Sequence, residues 1–230
     1  MLILFFLLLG FCNSLKIISS KAAGLKGFYM LGISKYIKEH YDLSDALFYG
    51  ASAGSWNSLY LSNKANDDIM FDFIKKLQSS NFNNMYEIEL AIYNYVLSNQ
   101  INEDFDLDKL NICVSVFNKR KFTKTIYNNF IDLEDTMNCC MASSHIPYIT
   151  NPSLYYTYRN MPSIDGGFFE NPHPNQLYPN LIIDSNIWNN TYIKNHGFFS
   201  DIKKTPIQKF IEYGYEDSYK NKNYLDLVFK

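Results

Sequence analysis

At 230 residues the chain is long enough to bury one substantial core, and no break in composition marks a second. Its 47% hydrophobic and 19% charged content is that of a globular domain, and a net charge of −2 excludes the basic footprint of a nucleic-acid-binding protein. The cysteines at 12, 113, 139 and 140 match no zinc or redox spacing, and His40, His145, His173 and His196 form no H-E-x-x-H pair. Neither a disulfide scaffold, a metal site nor a cofactor is indicated, and nothing points to an obligate protein partner.

Residues 1–14 form a hydrophobic N-terminal segment. Leu2 to Phe11 is almost wholly apolar and is followed by the small residues of Cys12-Asn13-Ser14, as in a signal peptide, although no Lys or Arg precedes it. The run is short for a bilayer span. It suggests a secreted or membrane-associated protein, or otherwise a cytoplasmic one working at membrane surfaces. Residues 15–230 read as a single domain.

Leu15 to Ser19 is a short strand-like run that passes through Ala22-Ala23-Gly24-Leu25-Lys26-Gly27 into a helical pattern. There Leu25, Tyr29, Gly32 with Ile33, and Tyr36 with Ile37 share one face. A second strand-turn-helix unit follows: Ala46 to Tyr49, the turn Gly50 to Gly54, and a helix from about Ser52 with Trp56, Leu59 and Tyr60 on one side. Helices are predicted over 67–78 and 85–98, as a cap or outer layer. Asn111 to Phe117 and Lys121 to Tyr127 predict a β-hairpin around Asn118-Lys119-Arg120. Asp132 to Ala142 reads as helix, Asn180 to Ile183 as a late strand, and Thr205-Pro206 as the start of a C-terminal helix. Strands alternating with helices predict an α/β fold in three layers, α/β/α, on a mostly parallel central sheet. Ligands in such folds bind beyond the carboxyl ends of the strands, where both glycine-containing loops fall.

Gly50-Ala51-Ser52-Ala53-Gly54 is a G-x-S-x-G sequence placed between an apolar strand and a helix, the context that exposes a serine hydroxyl beside helix N–H groups. Acyl transfer further needs donors for a developing oxyanion and a base for the hydroxyl proton. The loop from Ala22 to Gly27, which follows a strand and opens a helix, is placed to supply the donors. Asp165, in Ser163-Ile164-Asp165-Gly166-Gly167, is the candidate base. A Ser-Asp-His triad is an alternative, with Asp165 or Asp184 and His196 formally available.

Together these segments resemble the patatin-like phospholipases from about Leu15 to Asn171. That family has a glycine-rich oxyanion loop, then G-x-S-x-G, then D-G-G or D-G-A, and uses a Ser-Asp dyad without histidine. Here Gly24, Lys26, Gly27, Gly50, Gly54, Gly166 and Gly167 stand at its motif positions, and Ala142-Ser143-Ser144-His145-Ile146-Pro147 resembles its small-residue segment leading to proline. The resemblance implies Ser52 as nucleophile, Asp165 as base, the backbone of Ala23, Gly24 and Leu25 as oxyanion hole, and a phospholipid or other acyl lipid, met at a membrane or lipid interface, as substrate. One departure is Ala22, where the family usually has glycine. A Cβ there is costly if the residue needs φ > 0, so a catalytically silent lipid-binding protein of the same fold is the second reading.

Overall fold

The structure is a computed structural model that describes residues 15–79, 82–197 and 205–230. The hydrophobic segment 1–14, and with it the targeting reading, lies outside the described residues. Among the described residues no helix is long and apolar enough to cross a membrane.

The chain begins with two strand-helix units: β1 (Lys16–Ser20) and α1 (Gly27–His40), then β2 (Ala46–Ala51) and α2 (Ala53–Ser62). Helices α3 (Asp68–Ser79) and α4 (Met85–Asn99) follow, then the hairpin β3 (Leu110–Asn118) and β4 (Lys121–Tyr127), and α5 (Leu133–Ser143). The remainder holds β5 (Tyr156–Tyr158), β6 (Met161–Ile164), β7 (Leu181–Ile183), α6 (Thr191–Lys194), α7 (Ile207–Lys220) and α8 (Lys222–Phe229). Strands β7, β1, β2 and β3 lie side by side and parallel, while β4, β5 and β6 add antiparallel pairs beyond them. This is the expected mixed α/β fold, a mostly parallel central sheet flanked by helices.

Local sequence explains the main boundaries. Asp132 caps α5 by accepting from Asp135 N–H, and Asn84 caps α4 by accepting from Glu87 N–H. Alternation then sorts the sheet's faces. Ile18, Phe48, Ile112 and Val114 project to one side and are buried in the main core with Tyr29, Ile33 and Met137 from the helices. Ser19, Cys113 and Ser115 project to the other, where the segment after β6 crosses and His173 Nδ1 meets Ser19 Oγ at 2.8 Å.

One feature of register sets up the site. β4 occupies one edge of β3 from Ile112 to Asn118, so β2 and β6 must share the other edge. β2 pairs there up to Ala51, opposite Cys113, and β6 pairs antiparallel with Ile164 opposite Ser115. The two strands therefore run toward each other along one edge. Their carboxyl ends meet across a single residue of β3.

Candidate active site

Ser52 follows the end of β2 and Asp165 follows the end of β6, so the head-on meeting of those strands brings the two predicted residues together. Ser52 has φ 55° and ψ −130°, a conformation rarely adopted by a residue with a Cβ. The strain of the elbow thus sits in the serine itself. The flanking glycines serve close approach instead: a Cβ on Gly54 would lie 2.0 Å from Ser20 O, and one on Gly50 2.4 Å from Gly54 O. Without them α2 could not start against the end of β1.

Two serines brace this corner. Ser143 at the end of α5 accepts from Ser52 N–H at 2.9 Å and donates to Cys113 O at 2.7 Å, tying the elbow to β3. Ser115 donates to Asp165 O at 2.7 Å, and Asp165 N–H donates to His145 O at 2.8 Å, fixing the aspartate from both sides. The segment Ala142 to Pro147 is thereby a clamp between elbow and aspartate. Its composition is visible in the sequence, but that role is not.

The Asp165 residue keeps some surface, but its Oδ2 is buried and has no hydrogen-bond partner among the described residues, while Oδ1 accepts from Gly167 N–H at 2.5 Å. Burial pushes the carboxyl up to about 6. The nearby Ser52 hydroxyl and the Gly167 N–H oppose that rise. The Ser52 hydroxyl is therefore near enough to the Asp165 carboxyl to favour its charged form, while Oδ2 itself has no hydrogen-bond partner among the described residues, the looser geometry common in unliganded sites.

The loop before α1 carries its one left-handed residue at Gly24, with φ 53°, and Ala22 is not among the left-handed residues. The feared cost at Ala22 is absent. Its methyl group fills space beside the aspartate loop instead, since a Cβ on Gly167 would stand 2.4 Å from the Ala22 Cβ. The N–H groups of Gly24 and Leu25 donate to no acceptor among the described residues, and both residues line the same cavity as Ser52. Lys26 is buried and reaches Lys194 O at 3.5 Å, and Gly27 packs on Ala53, where an added Cβ would lie 2.6 Å from that side chain.

That cavity, of about 120 Å³, runs between α1, α2, α3 and α4 and is walled by Phe28, Leu59, Ile88, Ile92, Val96 and Phe105. The helices expected to form an outer layer are its roof. Its lining is apolar except at a few points, chief among them Glu89, which burial and the Asp165 charge push up to about 8 while the neighbouring Ser144 hydroxyl opposes the rise. No pattern in the sequence marked Glu89, because a lone acid on an amphipathic helix reads as solvent-facing.

No histidine side chain hydrogen-bonds Ser52 or the Asp165 carboxylate. His196 Nδ1 meets Tyr192 O at 2.8 Å and its ring packs on Phe210, while Asp184 caps a turn through Asn186 N–H. The triad alternative has no geometric support. Cys113, Cys139 and Cys140 are free and buried, and no group of metal-ligating side chains is found among the described residues.

A strained serine at a strand-helix elbow, near a buried carboxylate across the end of a mostly parallel sheet, has the parts that acyl transfer requires. A family model described as patatin-like phospholipase matches residues 21–177, more than half of the chain, and the chain belongs to that family of lipid acyl hydrolases. No curated protein matches it.

Proposed function

We propose that the protein is a serine lipid acyl hydrolase that cleaves fatty-acyl esters of phospholipids or related glycerolipids through a Ser52–Asp165 dyad. The observation that carries this reading is the unpartnered, buried Asp165 Oδ2 beside the strained Ser52. In the proposed reaction Oδ2 takes the Ser52 proton as Oγ attacks the ester carbonyl. The Gly24 and Leu25 N–H groups, with Ala23 shaping the loop before them, stabilise the oxyanion, and the apolar cavity receives the acyl chain. Asp165 then gives the proton to the leaving alcohol, and water resolves the acyl-enzyme with Asp165 as base again.

A carboxyl near 6 is a better base than one at the ordinary 3.8 and is still largely ionised at neutral pH. The alternative of a silent lipid-binding protein rested on Ala22, and the backbone there gives it no support. Treatment with a fluorophosphonate, followed by mass spectrometry of the labelled peptide, tests the nucleophile. We expect labelling at Ser52 that Ser52→Ala removes. An unlabelled wild-type chain that also releases no fatty acid would sink the hydrolase reading.

A further inference from the structure

The β3–β4 hairpin continues well past the site. Pairing with β2 ends at Cys113, and the five residues from Val114 to Asn118 extend the strand by roughly 16 Å at the usual rise. By alternation Cys113, Ser115 and Phe117 share a face. The first two hold the Asp165 loop, through Gly166 O at 3.9 Å and Asp165 O at 2.7 Å. The third begins an exposed aromatic patch: the Phe117 and Phe122 rings lie 5.3 Å apart, and Phe168, three residues after Asp165, lies 5.9 Å from Phe122. These side chains are 42%, 39% and 67% exposed. The patch is continuous with the loop that carries the proposed base.

The hairpin's tip adds charge. Lys119 and Arg120 form a two-residue turn, with Asn118 paired to Lys121, and both have left-handed φ, 46° and 66°. Asn-Gly makes that turn with least strain. This chain instead places two cations there and a third at Lys121, all exposed and none in an ion pair among the described residues. From Leu110 to Tyr127 the sequence contains no acid. Local stability is sacrificed for charge beside exposed aromatics, the pairing that suits a membrane surface.

We propose that this hairpin and Phe168 form the docking surface for an anionic phospholipid bilayer, the cations meeting headgroup phosphates and the phenylalanines entering the interface. The proposal rests on the lipid hydrolase reading for its purpose, but its test does not require turnover. The test measures sedimentation of the full chain carrying Ser52→Ala with vesicles of phosphatidylcholine alone and of phosphatidylcholine mixed with phosphatidylglycerol. The parent is expected to bind the mixed vesicles more tightly, and high salt to weaken that binding.

Lys119→Asn with Arg120→Gly should lower binding to mixed vesicles on the order of 10- to 30-fold while raising the melting temperature, because the turn is relieved. Lys119→Arg with Arg120→Lys should keep the binding, and Phe117→Ser with Phe122→Ser should weaken it on both vesicle types. Unchanged binding on Lys119→Asn with Arg120→Gly, or equal binding to both vesicle types, would overturn the proposal. So would a parent that ignores vesicles but self-associates through the phenylalanines, which makes a second copy the occupant. Vesicle binding together with a wild-type chain that releases no fatty acid would remove the hydrolase reading and leave the surface standing.

Discussion

Burial places the Asp165 carboxyl at about 6, above its ordinary 3.8, so the folded chain favours the neutral acid. The resulting destabilisation is absent below the unfolded pKa, grows as pH rises from about 4 to 6, and is complete above that, at roughly 3 kcal/mol. Asp165→Asn should therefore abolish turnover and yet raise the melting temperature at neutral pH, with the gain vanishing near pH 4. Thermal melts at the two pH values check this, and a variant less stable than the wild type at neutral pH would contradict it. Glu89 sets the opposite limit. It is held neutral up to about 8 in the same cavity, and its ionisation places a second negative charge near Asp165 and the developing oxyanion. Turnover should rise through about pH 6 and fall through about pH 8, and Glu89→Gln should remove only the falling limb. A pH–rate profile on a soluble ester reads both.

Among the elements, the glycine-rich loop and the aspartate loop fit as a pair, with the Ala22 methyl where a Cβ on residue 167 would otherwise stand. Ala22→Gly should consequently change kcat by less than about tenfold, whereas Gly24→Ala, forced into φ 53°, should lower it by about 10² or more if the oxyanion donors shift. Steady-state rates of the two variants decide this, and the reverse ranking would locate the strain at the wrong residue. Most of these elements were legible in sequence. β1, β2, α2 and the hairpin announce themselves by apolar runs and turn residues, and Asp132 marks the start of α5. Strands β5 and β6, of three and four residues, carry too little alternation to be read. The meeting of Ser52 with Asp165 was legible only through a family resemblance, because it depends on β2 and β6 sharing an edge of β3, and register is written in no local pattern. Ser143 was hidden for the same reason. Its two partners, Ser52 and Cys113, lie far from it in the chain.

On the scale of the whole molecule, the match to the family ends at residue 177, but the chain's packing does not. Helix α7 lies against α1 with glycine on each side of the contact: a Cβ on Gly32 would come 2.0 Å from Ile211 O, and one on Gly214 2.0 Å from Tyr29 O. Tyr29 also donates to Asp217 at 3.0 Å, and Phe210 and Leu225 are fully buried in the main core. We infer that residues 15–230 fold as one unit. Calorimetry should show a single transition, and Gly214→Ala should lower its midpoint because backbone rather than a flexible side chain stands in the way. A separate transition for the C-terminal helices, untouched in its partner by that substitution, would divide the chain.

The central claim, that Ser52 and Asp165 together hydrolyse a lipid ester, is tested most directly by the rate of fatty-acid release from phospholipid vesicles. The wild-type chain should release fatty acid, Ser52→Ala and Asp165→Asn should each reduce release to background, and His196→Ala should match the wild type. Release that survives Asp165→Asn or disappears in His196→Ala would contradict the dyad.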